Sequence, residues 1–104
     1  MKRDKFIDVV QEQLIYCFNL LSEKGLEYDA DEADRLASFK VAGQLEGETQ
    51  KQALAGMMAK HTVSIYDMCQ SDVAYPKEKW IEKITDHINY LLILRAMVEE
   101  EING

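Results

Sequence analysis

The sequence predicts an all-α chain, a four-helix bundle with short loops. Three observations carry this. Apolar residues recur at helical spacing in four segments. Gly25, Gly47 and the single proline punctuate the chain where helices would begin or end. No stretch alternates with a period of two for long, so no strand is expected.

The first segment runs from about Asp4 to Lys24. Ile7, Val10, Leu14, Cys17 and Leu21 fall on one stripe, and Phe6, Phe18 and Leu20 widen it. Asp4 can cap its start. Gly25 reads as a terminating glycine with positive φ, followed by the apolar Leu26. In "LEYDADEADRL", Asp29 or Asp31 can cap the second helix, while Glu32 and Asp34 suit its positive N-terminal dipole. Leu36, Phe39 and Ala42 or Gly43 form its short apolar side, and it ends near 44–47.

"TQKQ" matches a capping box, with Thr49 as cap and Gln52 three residues later. The third helix then extends to about Gln70, with Leu54, Met57, Met58, His61, Ile65 and Met68 on one stripe. Pro76 suits the first turn of the fourth helix, which runs to about Ile102. Trp80, Ile84, Ile88, Leu91, Arg95 and Val98 share a face there. Beyond Tyr90 the helix is apolar nearly all round, which predicts burial between neighbours and a homo-oligomer.

A chain of 104 residues, 47% hydrophobic and 30% charged, is expected to form a single helical domain over 1–104. Its net charge of -7 opposes direct binding to nucleic acid or to an anionic membrane surface, both of which need a basic face. The same charge suits a basic protein partner. Cys17 and Cys69 lie in different segments without the close pairing of a zinc or redox motif. No secretory leader is visible, and "YLLIL" falls far short of the ~20 residues of a membrane helix. A soluble, cytoplasmic protein is expected.

Within "GMMAKHTVSIYDMC", Lys60, Ser64 and Asp67 share a strip beside the methionine stripe, and His61 belongs to that stripe. Two readings stand. His61 is a base or ligand at the bottom of a cleft with Lys60 and Asp67 at its rim, or it is a buried histidine bonded to one partner. Asp86 and Asn89 are three residues apart, on a face that continues into Tyr90, Ile93 and Met97. They could bind a metal, a ribose or a base edge, or cross-link helices. Arg95 is expected to pair with an acid from another segment or another chain. The spacing of Asp29, Asp31 and Asp34 does not fit an EF-hand loop, and capping explains most of these acids. No phosphate loop, Cys/His cluster or nucleophile motif is present.

"KGLEYDADEADRLASFK", "TQKQALAGMMAKHTVSIYDM" and "WIEKITDHINYLLILRAMVEEE" together resemble small proteins of phages and prophages of Gram-positive bacteria. These are similar to the nucleotide modification associated domain families. "ITDHINYLLIL" also resembles, more distantly, the metal helix of MazG-type all-α NTP pyrophosphohydrolases, with Asp86 at the aspartate of their Glu-x-x-Asp element. The glutamate position holds Lys83, Glu82 is one residue off, and the first-helix acidic element is reduced to Glu12. The resemblance implies a nucleotide pocket between the third and fourth helices, lined by Lys60, His61, Asp86 and Asn89, without strong catalysis. Mg²⁺ is the cofactor such carboxylates would hold. Two alternatives follow. One is an anti-defence inhibitor of a basic host protein, CRISPR-type or otherwise nucleic-acid-binding, contacting it through Asp29, Asp31, Asp34, Glu46 and Glu48. The other is a weak Mg²⁺-dependent pyrophosphohydrolase.

Overall fold

The computed structural model describes residues 1–28 and 34–103. Four helices account for most of them: α1 (Arg3–Tyr28), α2 (Ala37–Glu46), α3 (Gln50–Gln70) and α4 (Lys77–Asn103). No strand is present among the described residues. The helices pack as the bundle expected from the sequence.

Helix ends follow local chemistry where that chemistry is strong. The capping box is formed: the Gln52 amide N–H donates to Thr49 Oγ1 at 3.1 Å, and the Thr49 N–H donates to Gln52 Oε1 at 2.9 Å. Gly47 closes α2 in the left-handed region at φ 70°, and the Glu48 N–H reaches back to the Gly43 carbonyl at 2.7 Å. Pro76 stands at the head of α4, where its carbonyl accepts from Lys79 N–H.

Two expected ends are corrected. α1 does not stop at Gly25 but continues to Tyr28. A lone glycine costs about 1 kcal/mol in a helix, and the flanking Lys24, Leu26 and Glu27 are good helix formers. α2 begins later than expected, at Ala37, with Leu36 at its cap position. Asp34 Oδ1 accepts the Leu36 N–H at 2.9 Å, a turn that leads the chain into the helix. The proposed caps Asp29 and Asp31 lie outside the described residues.

Packing runs in the order α2, α3, α4, α1: α2 lies on α3, α3 on α4, and α4 on α1. Leu36, Leu54 and Met97 form the buried centre, with Phe39, Tyr90, Ile93 and Leu94 packed around it. Cys17 and Thr85 are buried, on α1 and α4 respectively. Lys40 ties α2 to the end of α4 through Glu100 at 3.0 Å, and Lys51 does the same from α3 through Glu101 at 2.9 Å.

The face of α4 is also corrected. Thr85, Asn89 and Met97 are its buried residues, whereas Leu91 and Arg95 are exposed. A helix apolar on every side does not encode its own orientation; the neighbours choose it. Arg95 pairs with Glu99 of its own helix at 2.6 Å, and among the described residues it has no ion pair to another segment.

Candidate ligand groove

The order of packing leaves α1 and α2 without direct helix–helix contact among the described residues. A groove of about 630 Å³ lies there, floored by α4. Phe18 and Leu21 of α1, Phe39 of α2, and Tyr90 and Ile93 of α4 give it apolar walls. Its polar lining includes Asp86, Asn89, Arg35, Ser22 and Ser38. Arg35 spans the gap, donating from Nη2 to the Leu21 carbonyl at 3.2 Å.

Asn89 is the chemically loaded residue. It is only 6% exposed, and its Oδ1 is buried with no hydrogen-bond partner among the described residues. An unsatisfied buried acceptor costs about 1–3 kcal/mol. Such a group is tolerated where something outside the fold satisfies it. Asp86, one turn earlier, is half-buried. It has no hydrogen-bond or ion-pair partner among the described residues. It lines both this groove and a smaller one between α1 and α4.

The four candidates from the sequence therefore divide. Asp86 and Asn89 share the groove. Lys60 is exposed on α3, and neither it nor His61 lines the groove. His61 sits behind the wall instead: its ring centroid is 4.9 Å from that of Tyr90, and its Nδ1 is buried without a partner among the described residues. Tyr90 thus has one neighbour in the α3 stripe and also forms part of the groove lining. Sequence reasoning missed Arg35, Phe18 and Phe39 as lining residues. Their spacing placed them on helices, but only the missing α1–α2 contact makes them neighbours.

The acidic candidates divide as well. Asp34 is engaged by Lys40 Nζ at 2.6 Å, which together with the Leu36 N–H holds its carboxyl below the usual range. Glu46 and Glu48 flank Gly47, and a hydrogen bond between their carboxyl groups raises the Glu48 pKa. Asp29 and Asp31 lie outside the described residues.

Glu23, Glu82 and Asp86 all line the smaller groove. Even so, no three His, Cys, Asp or Glu side chains among the described residues converge closely enough to hold a metal ion. Among those residues no helix is long and apolar enough to cross a membrane. Comparison of the chain with protein-family models, curated proteins and solved structures finds no match.

Proposed function

We propose that this chain is a phage-type accessory protein that binds a nucleotide, or a related small molecule carrying a flat heteroaromatic ring, without strong catalysis. The observation that carries the reading is the buried Asn89 Oδ1, without a hydrogen-bond partner among the described residues, in an aromatic-lined groove. A carboxamide offers one acceptor and two donor hydrogens, the pattern that matches the edge of a nucleobase. Phe18, Phe39 and Tyr90 supply ring faces, and stacking of a base on such a face is worth about 1–3 kcal/mol. A volume of about 630 Å³ falls inside the common range for small-molecule sites. The net charge of -7 disfavours polyphosphates. A nucleoside or mononucleotide, with Arg35 near its phosphate, suits the groove better. The likeness to phage proteins supports the ligand class and a role in the cytoplasm of a bacterial host. Lys83, at the position of the hydrolases' metal-binding glutamate, argues against their reaction.

The test is a thermal-shift and calorimetric screen against nucleosides and nucleotides, with and without Mg²⁺. A specific ligand at 100 times its Kd stabilises by about 2.7 kcal/mol, a shift of several degrees for a domain of this size. No shift and no heat across the panel would overturn the reading. Release of pyrophosphate that Asp86→Asn abolishes would replace it with weak hydrolysis.

A second reading, the acidic inhibitor of a basic host protein, is favoured by the crowded Glu46–Glu48 pair. A basic side chain from a partner would relieve that crowding. A stoichiometric nuclease-type partner in host lysate, lost on Glu46→Gln with Glu48→Gln, would support it; a blank at low salt would count against it.

A further inference from the structure

We propose that the base this groove takes is guanine, read by Asp86 on its Watson–Crick edge and by Asn89 on its sugar edge. The inference rests on the nucleotide reading and adds the identity of the base to it. The two side chains ask for the same thing. Asp86 offers two carboxylate oxygens, which only accept, and it has no hydrogen-bond or ion-pair partner among the described residues. Asn89 Oδ1, in a residue only 6% exposed, is a further acceptor without a partner among those residues. The residues stand one turn apart on α4, which puts their Cβ atoms about 5–6 Å from each other on one helix face. Both line the groove, together with Tyr90. A ligand that satisfies them must bring three donor hydrogens on adjoining atoms of one flat edge.

Guanine carries that run: N1–H, then both hydrogens of the exocyclic N2 amino group. Asp86 takes N1–H and the nearer N2–H as a bidentate pair. The other N2–H goes to Asn89 Oδ1, and Asn89 Nδ2 donates to N3 in return. The other bases fail at one of these points. Adenine and cytosine place a ring acceptor beside their amino group, where it would face a carboxylate oxygen. Uracil and thymine have a single N–H between two carbonyls. A mismatch in a buried site leaves the protein's own polar groups unpaired, so discrimination by hydrogen bonding is steep. Phe18, Phe39 and Tyr90 line the same groove and offer ring faces to the flat bicycle. Tyr90 is itself backed by the His61 ring, 4.9 Å away between centroids.

The experiment is titration calorimetry of the full chain with the 5′-monophosphates of guanosine, inosine, adenosine, cytidine and uridine, and with methylguanidinium as a cation control. Guanosine monophosphate is expected to bind tightest. Inosine monophosphate, which lacks only the N2 amino group, is expected to bind about tenfold or more weakly. Asp86→Asn replaces an acceptor oxygen with a donor. It is expected to weaken guanosine monophosphate about tenfold or more and to favour xanthosine monophosphate, which has a carbonyl in place of the amino group. Circular dichroism checks that the variant stays helical, and the guanosine-to-inosine ratio of the wild type needs no variant. Equal binding of those two, or a preference for another base, would overturn the guanine assignment and leave the nucleotide reading in place. Methylguanidinium binding as tightly as guanosine monophosphate would also overturn it. No binding of any monophosphate would overturn both.

Discussion

Gln13 Nε2 donates a hydrogen bond to Thr85 Oγ1 at 2.7 Å, joining α1 to α4 across 72 residues of sequence. Thr85 is buried and Gln13 half-buried, with Cys17 Sγ 3.5 Å from the same nitrogen. The apolar stripe of α1 is largely uncovered, so this bond and the burial of Cys17 bear much of the docking. Thr85→Val keeps the shape but removes the acceptor. It is expected to lower unfolding stability by about 1 kcal/mol, as for a typical buried hydrogen bond. Gln13→Leu with Thr85→Val removes both partners and should recover part of that loss. Urea denaturation of Thr85→Val, Gln13→Leu and the double variant measures the coupling, and additive losses would show that the bond carries no stability.

Asn89→Leu separates site from scaffold. An amide buried for packing would be missed by the fold. An amide held for a ligand is a burden on the empty protein, because its Oδ1 has no partner among the described residues. Replacing it with an apolar side chain of similar volume is expected to leave stability unchanged or raise it by about 1 kcal/mol, and to abolish ligand binding. Chemical denaturation and titration calorimetry on the same variant provide both readings. A large loss of stability would mark Asn89 as structural.

Local rules made the fold legible where they acted alone. Thr49 and Gln52 announce a helix start through four atoms and need nothing from the rest of the chain. Gly25 was misread because a glycine marks an end only when the chain turns there, and α1 has good helix formers on both sides of it. The orientation of α4 was hidden because its apolar residues surround it. The Asp86–Asn89 pair was legible as two polar groups one turn apart on a helix. The groove was not, since it arises from α1 and α2 failing to meet. No helical periodicity encodes a gap between two other helices. The same blindness put His61 and Asn89 in one site, though Tyr90 stands between the His61 ring and the groove.

Gly43 is fixed by a close approach. A Cβ built there would lie 2.6 Å from the Glu48 carbonyl oxygen and 3.0 Å from the Thr49 carbonyl. Both obstacles are backbone, in the turn that links α2 to α3 and carries the cap of α3. Gly43→Ala must therefore move that turn. A destabilisation of about 1–3 kcal/mol is expected, the cost of forced overpacking, despite the better helix propensity of alanine. Gly47→Ala acts differently: space is open, but φ of 70° is unfavourable for a side chain. Its cost is expected to be smaller, about 1 kcal/mol. Thermal unfolding of both variants orders them, and an equal or reversed order would refute the clash.

The acid limb of stability is set by carboxylates of opposite behaviour. Asp34 has its pKa lowered by the Lys40 ammonium and then by the Leu36 N–H. Its folded value lies below the unfolded one. Its contribution is therefore fully present above the unfolded pKa of about 3.9 and is lost as pH falls through the lower folded value. Lys40 is raised by Asp34 and then by Glu100. Its contribution is present below the usual lysine range and is lost as pH rises through the raised folded value. Glu48 is raised by its hydrogen bond to Glu46, so its ionisation works against folding above that raised pKa and the opposition fades as pH falls. Asp34→Asn is expected to flatten the fall of stability below pH ~4, and Glu46→Gln to raise stability near neutrality without altering that fall. All these groups are exposed and screened, so each effect should shrink in high salt. Denaturation midpoints from pH ~3 to pH ~8, at low and high salt, test the pattern. An unchanged acid limb in Asp34→Asn would show that the Lys40 contact does not persist in solution.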